Sequence, residues 1–267
     1  MSVKFEKSTF KKRMTSMLGV DFRRMFTSPL FYIVVGACFV MPILILVMTT
    51  MMDGTVSVNP QTGQETVIEG FKNVWQIIGS IQGGEQVMSM DITSMCNINM
   101  LFFLVAVFVC IFVSEDFRSG YAKNLFTVRS KKSDYVISKT IVCFVAGAGM
   151  LIAFFVGAMI GGKFTNLSFA LEGVNAFNIV MCLLSKIALM AIFVSIYVLA
   201  SVFAKQKLWL SLIMAFGIGM LMFMMIPIIT PLNSTIVNVL LCLVGAGLFS
   251  IGLGFGSKKI LEKSSLV

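Results

Sequence analysis

Residues able to do chemistry are scarce in this 267-residue chain. There is no histidine, which removes the commonest proton shuttle and metal ligand. Six cysteines (Cys38, Cys96, Cys110, Cys143, Cys182 and Cys242) are scattered over different apolar stretches with no close-spaced pair. They fit small bundle- or lipid-facing residues, not a disulfide framework or a metal site. No set of acid/base, nucleophilic or metal-binding side chains falls at one depth, so no catalytic residue and no metal ligand is assigned. Charge concentrates instead in residues 115–139, which carry Glu115, Asp116, Arg118, Lys123, Arg129, Lys131, Lys132, Asp134 and Lys139 between two long apolar stretches. A charged, helix-compatible segment in that position suits the docking of a soluble partner, not bond-making.

Composition sets the class of element that must position this segment. Hydrophobic residues are 58% of the chain and charged residues 12%, with mean hydropathy +0.95. A soluble domain of this size needs far less apolar surface, so an integral membrane protein is expected. The apolar runs are continuous, not alternating, which points to an all-α bundle and not a barrel. Six stretches reach the roughly 20 residues a bilayer demands: 30–52, 95–113, 140–161, 179–203, 208–229 and 236–255. The start of the chain is too charged, and its first apolar run too long, for a cleaved signal peptide.

Of 21 Lys and Arg, seven precede the first stretch, six lie in 114–139, two in 204–207 and three in the C-terminal tail. Lys72 and Lys163 fall on the opposite side, and Lys186 lies within or beside the fourth stretch. The excess of positive charge predicts a multi-pass cell-membrane protein with both termini and the 114–139 loop in the cytoplasm, and the 53–94 loop outside. The net charge of +9 is then a topology signal and does not argue for nucleic acid. Lys186, near the outer start of its stretch, is expected to snorkel to the interface.

Residues 1–29 read as an amphipathic leader, the alternative being a positively charged topogenic segment with no fixed structure. Phe10, Met14, Met17, Leu18, Phe22, Met25 and Phe26 recur at helical spacing against Lys11, Lys12, Arg13, Arg23 and Arg24, which predicts an interfacial helix ended at Ser28-Pro29. In the external loop, 55–58 and 65–68 flank residues 59–63 as a short hairpin. Phe71, Val74, Trp75 and Ile78 then suggest a helix lying on the outer leaflet. Pro227 and Pro231 predict a broken fifth span. Residues 157–163 match the first part of a phosphate-binding loop, but Phe164 replaces the Ser or Thr that would hold magnesium and no strand precedes it. That match is a coincidence. The glycines Gly157/Gly161, Gly217/Gly219, Gly245/Gly247 and Gly252/Gly254/Gly256 are better read as close helix contacts. Asn97 and Asn99 could line a pathway or cap a helix. Met220 and Met224 could offer an adaptable apolar surface or reflect a chain with 21 methionines.

Residues 115–139 resemble the cytoplasmic signature of ABC-2 type permeases, the membrane subunits of a large class of ATP-binding cassette exporters. In that family a Glu is followed by Gly, a short coupling helix ending in two apolar residues, a Ser/Arg turn, and a Lys opening the next span. Glu115, Gly120, Leu125, Phe126, Ser130, Lys131 or Lys132, and Lys139 occupy those places, and the Lys123-Asn124-Leu125 wording and Tyr135 look most like bacterial members handling antimicrobial peptides. Arg129 stands where many members carry Pro, and the turn has Lys in place of Arg. The resemblance implies a single permease domain over 1–267 with no bound cofactor. A second permease copy or a related permease would complete it, and separate ATPase subunits would hold ATP and Mg. Leu125 and Phe126 would anchor in that partner, with Lys123, Arg129, Lys131 and Lys132 as a polar rim. The cargo implied is a peptide antibiotic, drug or lipid-like molecule. A loop that only fixes topology and binds anionic membrane lipid would explain the charge but not the ordered apolar pair. Rival functions are a non-transporting sensor or scaffold and an ion-coupled carrier, the latter disfavoured by the absence of intramembrane acids.

Overall fold

The structure is a computed structural model that describes residues 9–58, 65–80, 96–128, 131–171, 173–223 and 225–263. Its helices are α1 (Phe10–Thr27), α2 (Pro29–Met52), α3 (Leu101–Arg118), α4 (Tyr121–Val128), α5 (Lys132–Phe164), α6 (Ala176–Ala204), α7 (Leu208–Phe223), α8 (Ile226–Ile229) and α9 (Ile236–Lys263). Five helices are long and apolar enough to cross a membrane: α2, α3 with the turn before it, α5, α6 and α9. Helices suit such sequence because each satisfies its backbone hydrogen bonds internally. Buried hydroxyls do likewise: Thr49, Ser195 and Ser201 donate to carbonyls one turn back, at Ile45, Ala191 and Tyr197.

The most buried of the five is α6, with α3, α5, α7 and α9 packed around it. Phe102 of α3 meets Phe193 of α6 at 4.6 Å between ring centres. Ser201 and Ser211 join α6 to α7 at 2.8 Å, and Ser195 reaches Ser250 of α9 at 2.9 Å. On the far side of α5 lies α2. A Cβ on Gly157 would collide with the Phe39 carbonyl and approach Pro42 Cγ to 2.9 Å, and one on Gly161 would sit 3.0 Å from Ile43 Cα. The expected glycine contacts therefore hold for α5, and also at Gly219, Gly245 and Gly256, where a Cβ would lie 3.3 Å from the Tyr197 hydroxyl, 3.7 Å from Ile192 Cδ1 and 3.6 Å from Leu199 Cδ1. They fail at Gly217, Gly247, Gly252 and Gly254, where a Cβ would meet nothing within 4 Å.

Two expected boundaries move, for one reason. Hydropathy measures membrane thickness, whereas a helix continues as long as its backbone bonds are satisfied. Thus α3 runs on to Arg118 and α5 begins at Lys132, so much of the predicted 114–139 loop is the ends of two long helices. The predicted fifth span is divided. Helix α7 has 16 residues, roughly 24 Å at 1.5 Å per residue, and α8 restarts with Pro227 in its first turn.

The predicted hairpin is present as β1 (Val56–Val58) paired antiparallel with β2 (Glu65–Val67); its 59–63 turn lies outside the described residues. The helix expected on the outer leaflet is instead a 3-10 turn, Val74–Ile77, capped by Asn73. Phe71, Val74, Ile77 and Ile78 are buried, because Gly162 lets Val74 seat against α5. This segment plugs the bundle end and does not float beside it.

Gly157→Leu should lower the thermal unfolding midpoint of the purified chain in detergent, at a cost of about 1–3 kcal/mol or more for overpacking. Gly149→Ala, in the same helix but facing open space, should leave the midpoint unchanged or slightly raised.

Candidate functional site

The charged residues converge at the bundle end that carries α1, α4 and the start of α5. Helix α1 buries Met14, Met17, Asp21 and Met25, a stripe at spacings of three and four residues with an acid at its centre. A carboxylate in that position requires a cation. Lys139 of α5 provides it. Its Nζ lies 2.8 Å from Asp21 Oδ1 and 2.7 Å from Asp116 Oδ2, with all three side chains at 0% exposure. Ser138 Oγ donates to the other Asp21 oxygen at 2.6 Å, and the Tyr135 hydroxyl donates to Asp116 Oδ2 at 2.9 Å.

Arg24 Nη1 approaches Asp116 Oδ1 to 2.6 Å as an ion pair outside hydrogen-bond geometry. Partial burial lowers the Arg24 pKa, but Asp116 more than offsets this and leaves it above the ordinary value. Two carboxylates and two cations thus neutralise one another inside the protein. Phe112 lies 4.3 Å from the Lys139 ammonium and Tyr121 4.1 Å from the Arg24 guanidinium, so aromatic faces close the remaining sides. Between the carboxylates the ammonium already fills the place a metal cation would take. Among the described residues no group of three metal-ligating side chains occurs.

Helix α4 lies directly on this network. Gly120 makes the turn into it at φ +76°, a conformation that favours glycine. Tyr121, at its start, stacks on Arg24; Phe126, near its end, meets the Tyr135 ring edge-on at 5.3 Å. Lys123 and Asn124 face outward, whereas Leu125 and Phe126 are half-buried against this chain's own core. Glu115 is exposed and only 3.9 Å from Arg118, and Lys131 is exposed. Lys132 donates to the Leu261 carbonyl at 2.5 Å, which ties α5 to α9. Arg129 and Ser130 lie outside the described residues. Lys139, grouped by position with the docking residues, has no surface to offer a partner and is the hub beneath them.

Sequence reasoning missed Asp21 and Ser138, and it named Arg24, Asp116 and Tyr135 without joining them to Lys139 in one network. One signal was available: Asp21 is the only acid in α1 and falls in the middle of its apolar arc.

A second polar cluster occupies the opposite end. Lys186 does not snorkel. It is fully buried, and its Nζ donates to Asn99 Oδ1 and Thr230 Oγ1, each at 2.9 Å. The reason is the broken chain between α7 and α9, which brings Thr230 to the ammonium and provides an acceptor that a continuous helix would not. Asn97 caps the turn before α3 by accepting from the Asn99 backbone N–H at 2.9 Å. Met220 is 58% exposed on α7 and is not brought together with Asn97 and Asn99; Met224 lies outside the described residues.

No protein-family model, curated protein or solved structure matches this chain.

The network makes an ordered prediction. Lys139→Met leaves Asp21 buried without a cation and should cost about 3–5 kcal/mol, the range for breaking a buried pair. Asp21→Asn should cost less, since Lys139 keeps Asp116. Thermal unfolding of both variants, with amide exchange in α1 as a local reporter, checks the order.

Proposed function

We propose that this chain is the membrane subunit of an ATP-driven exporter of the ABC-2 permease type. The observation that carries the proposal is the seating of α4 on the Asp21–Lys139–Asp116 network. A short helix offers Lys123 and Asn124 to water while its two ends are fixed, through Arg24 and Tyr135, to the buried charges that join α1, α3 and α5. Force applied to α4 by a soluble partner would pass to these helices as rigid-body movement and would not dissipate in a loop. The clustering of Lys and Arg at the same end supports a cytoplasmic orientation for it.

In this reading the chain crosses the membrane six times, the fifth crossing being the broken α7–α8 unit, and both termini are cytoplasmic. Helix α1 lies in the headgroup plane with Phe10 and Phe26 exposed to lipid. The permease pairs with a second copy or a related one, and two ATPase subunits hold ATP and Mg. The cargo is amphipathic or hydrophobic. This chain contributes no catalytic group.

Affinity capture of the tagged chain in mild detergent tests the proposal. The native chain should recover an ATP-binding subunit, and Lys123→Glu/Asn124→Glu, on the exposed face of α4, should lose it at equal expression. Leu125→Asp/Phe126→Asp should lose it too, with a lower unfolding midpoint because those side chains also pack on the core. Recovery of no ATPase with the native chain would overturn the proposal. Recovery with hydrolysis indifferent to cargo would favour a scaffold.

A further inference from the structure

The two buried lysines differ in a way that has a consequence. Lys139 sits between two carboxylates, whereas among the described residues the hydrogen-bond partners of Lys186 are neutral oxygens. An ammonium has three N–H donors, and Asn99 and Thr230 take two of them. Among the described residues no carboxylate pairs with Lys186. Cys182 lies beside the same cluster, its thiol donating to the Thr230 carbonyl at 3.5 Å. The Ser185 hydroxyl, one position earlier, is fully buried, with the Cys242 thiol beside it and no partner in good hydrogen-bond geometry among the described residues. Among the described residues, a cation without a carboxylate partner and, at the preceding position, a hydroxyl without a well-placed partner therefore lie in a helix long and apolar enough to span a membrane. Lys186 is ten residues from the α6 start, roughly 15 Å along the axis. Charges at such depth are expensive and ordinarily mark a functional site.

The surroundings indicate how the deficit is met. The cluster is roofed by the plug segment: Ile77 and Ile78 are buried, and a Cβ on Gly79 would lie 3.4 Å from the Leu232 nitrogen and 3.6 Å from Cys182 Sγ. One backbone bond, from Leu232 N–H to the Ser80 carbonyl at 2.7 Å, holds the roof to the α8–α9 link. Behind this short, largely apolar cover lie an ammonium, hydroxyls and a side-chain amide.

We propose that Lys186, Asn99, Thr230 and Ser185 form a binding site for the anionic headgroup, carboxylate or phosphate, of an amphiphile that enters at this end and displaces the 77–79 cover with its apolar part. The ammonium neutralises the headgroup, the Ser185 hydroxyl and Asn99 amide donate to its oxygens, and Thr230 holds Lys186 in place. The site belongs to this chain alone and needs no ATPase partner, so its failure and that of the exporter proposal are separable.

The test uses the purified full chain in a neutral maltoside detergent and three probes with one tail: dodecanoate, dodecyl phosphate and dodecyltrimethylammonium. A saturable rise in unfolding midpoint is expected with one or both anions and not with the cation. The two anionic arms show whether carboxylate or phosphate is preferred. Lys186→Gln should weaken the apparent affinity about tenfold or more, and Lys186→Arg should retain it. Should Lys186→Gln fail to fold, Ser185→Ala and Thr230→Val, which keep the lysine, should each weaken anion binding while Lys131→Gln/Lys132→Gln at the opposite end leaves it unchanged. Equal response to all three probes, no response to either anion, or an anion response that is lost in Lys131→Gln/Lys132→Gln but survives at Lys186, Ser185 and Thr230 would overturn the proposal.

Discussion

The position of the Lys139 ammonium between Asp21 and Asp116 is the constraint on which this end of the molecule depends. Removing an ion from water costs several kcal/mol even after relaxation, and mutual attraction repays this only when every partner is in place. Here the partners come from three helices: Asp21 and Arg24 from α1, Asp116 from α3, and Lys139, Tyr135 and Ser138 from α5. None of these groups can be buried until the other helices have arrived. The network is therefore close to all-or-none, and it converts α1 from an amphipathic surface segment into a part of the core.

The rest of the packing divides around that anchor. On one side, α2 is held by the α1 turn and by its close approach to Gly157 and Gly161, so α1, α2, α3 and α5 form one tightly registered unit. On the other, one face of α9 packs extensively along α6, with Ser195 and Ser250 hydrogen-bonded across the contact, while Leu241, Leu248, Ile251 and Phe255 on its other face stay exposed. The glycines of α9 at 247, 252 and 254 face open space, which explains why glycine spacing alone misidentified them as contacts. Spacing shows where a helix could approach; it does not show that one does.

What the sequence made legible follows the same division. Membrane thickness and backbone satisfaction act along one dimension, so apolar run length found each of the five helices long and apolar enough to cross a membrane, and Pro227 marked the break before α8. The Gly120 turn and the short helix after it were likewise readable from local chemistry. The ion network was not, because Lys139 and Asp21 are 118 positions apart and each, taken alone, resembles an ordinary interfacial charge. Asp21 was the exception in principle, as an acid centred on an apolar stripe. Lys186 was misjudged because its length permitted snorkelling, and nothing in its own helix showed that Asn99 and Thr230 would be present to hold it inside.

A network of charges under α4 also makes mechanical sense in a way apolar packing would not. Hydrophobic contacts are non-directional, so a helix resting on them can slide or rotate at little cost. A clamp of two carboxylates on one ammonium fixes distance and angle together, and displacement by even a bond length exposes a buried charge. The two aromatic residues at the ends of α4 carry this stiffness outward, since Tyr121 is held by Arg24 and Phe126 by the ring of Tyr135, whose hydroxyl is committed to Asp116. A helix so mounted resists twisting on its own seat. Torque from a bound partner would then turn α3 and α5 and not α4 alone, which is the property a transmission element between a soluble motor and a membrane bundle must have.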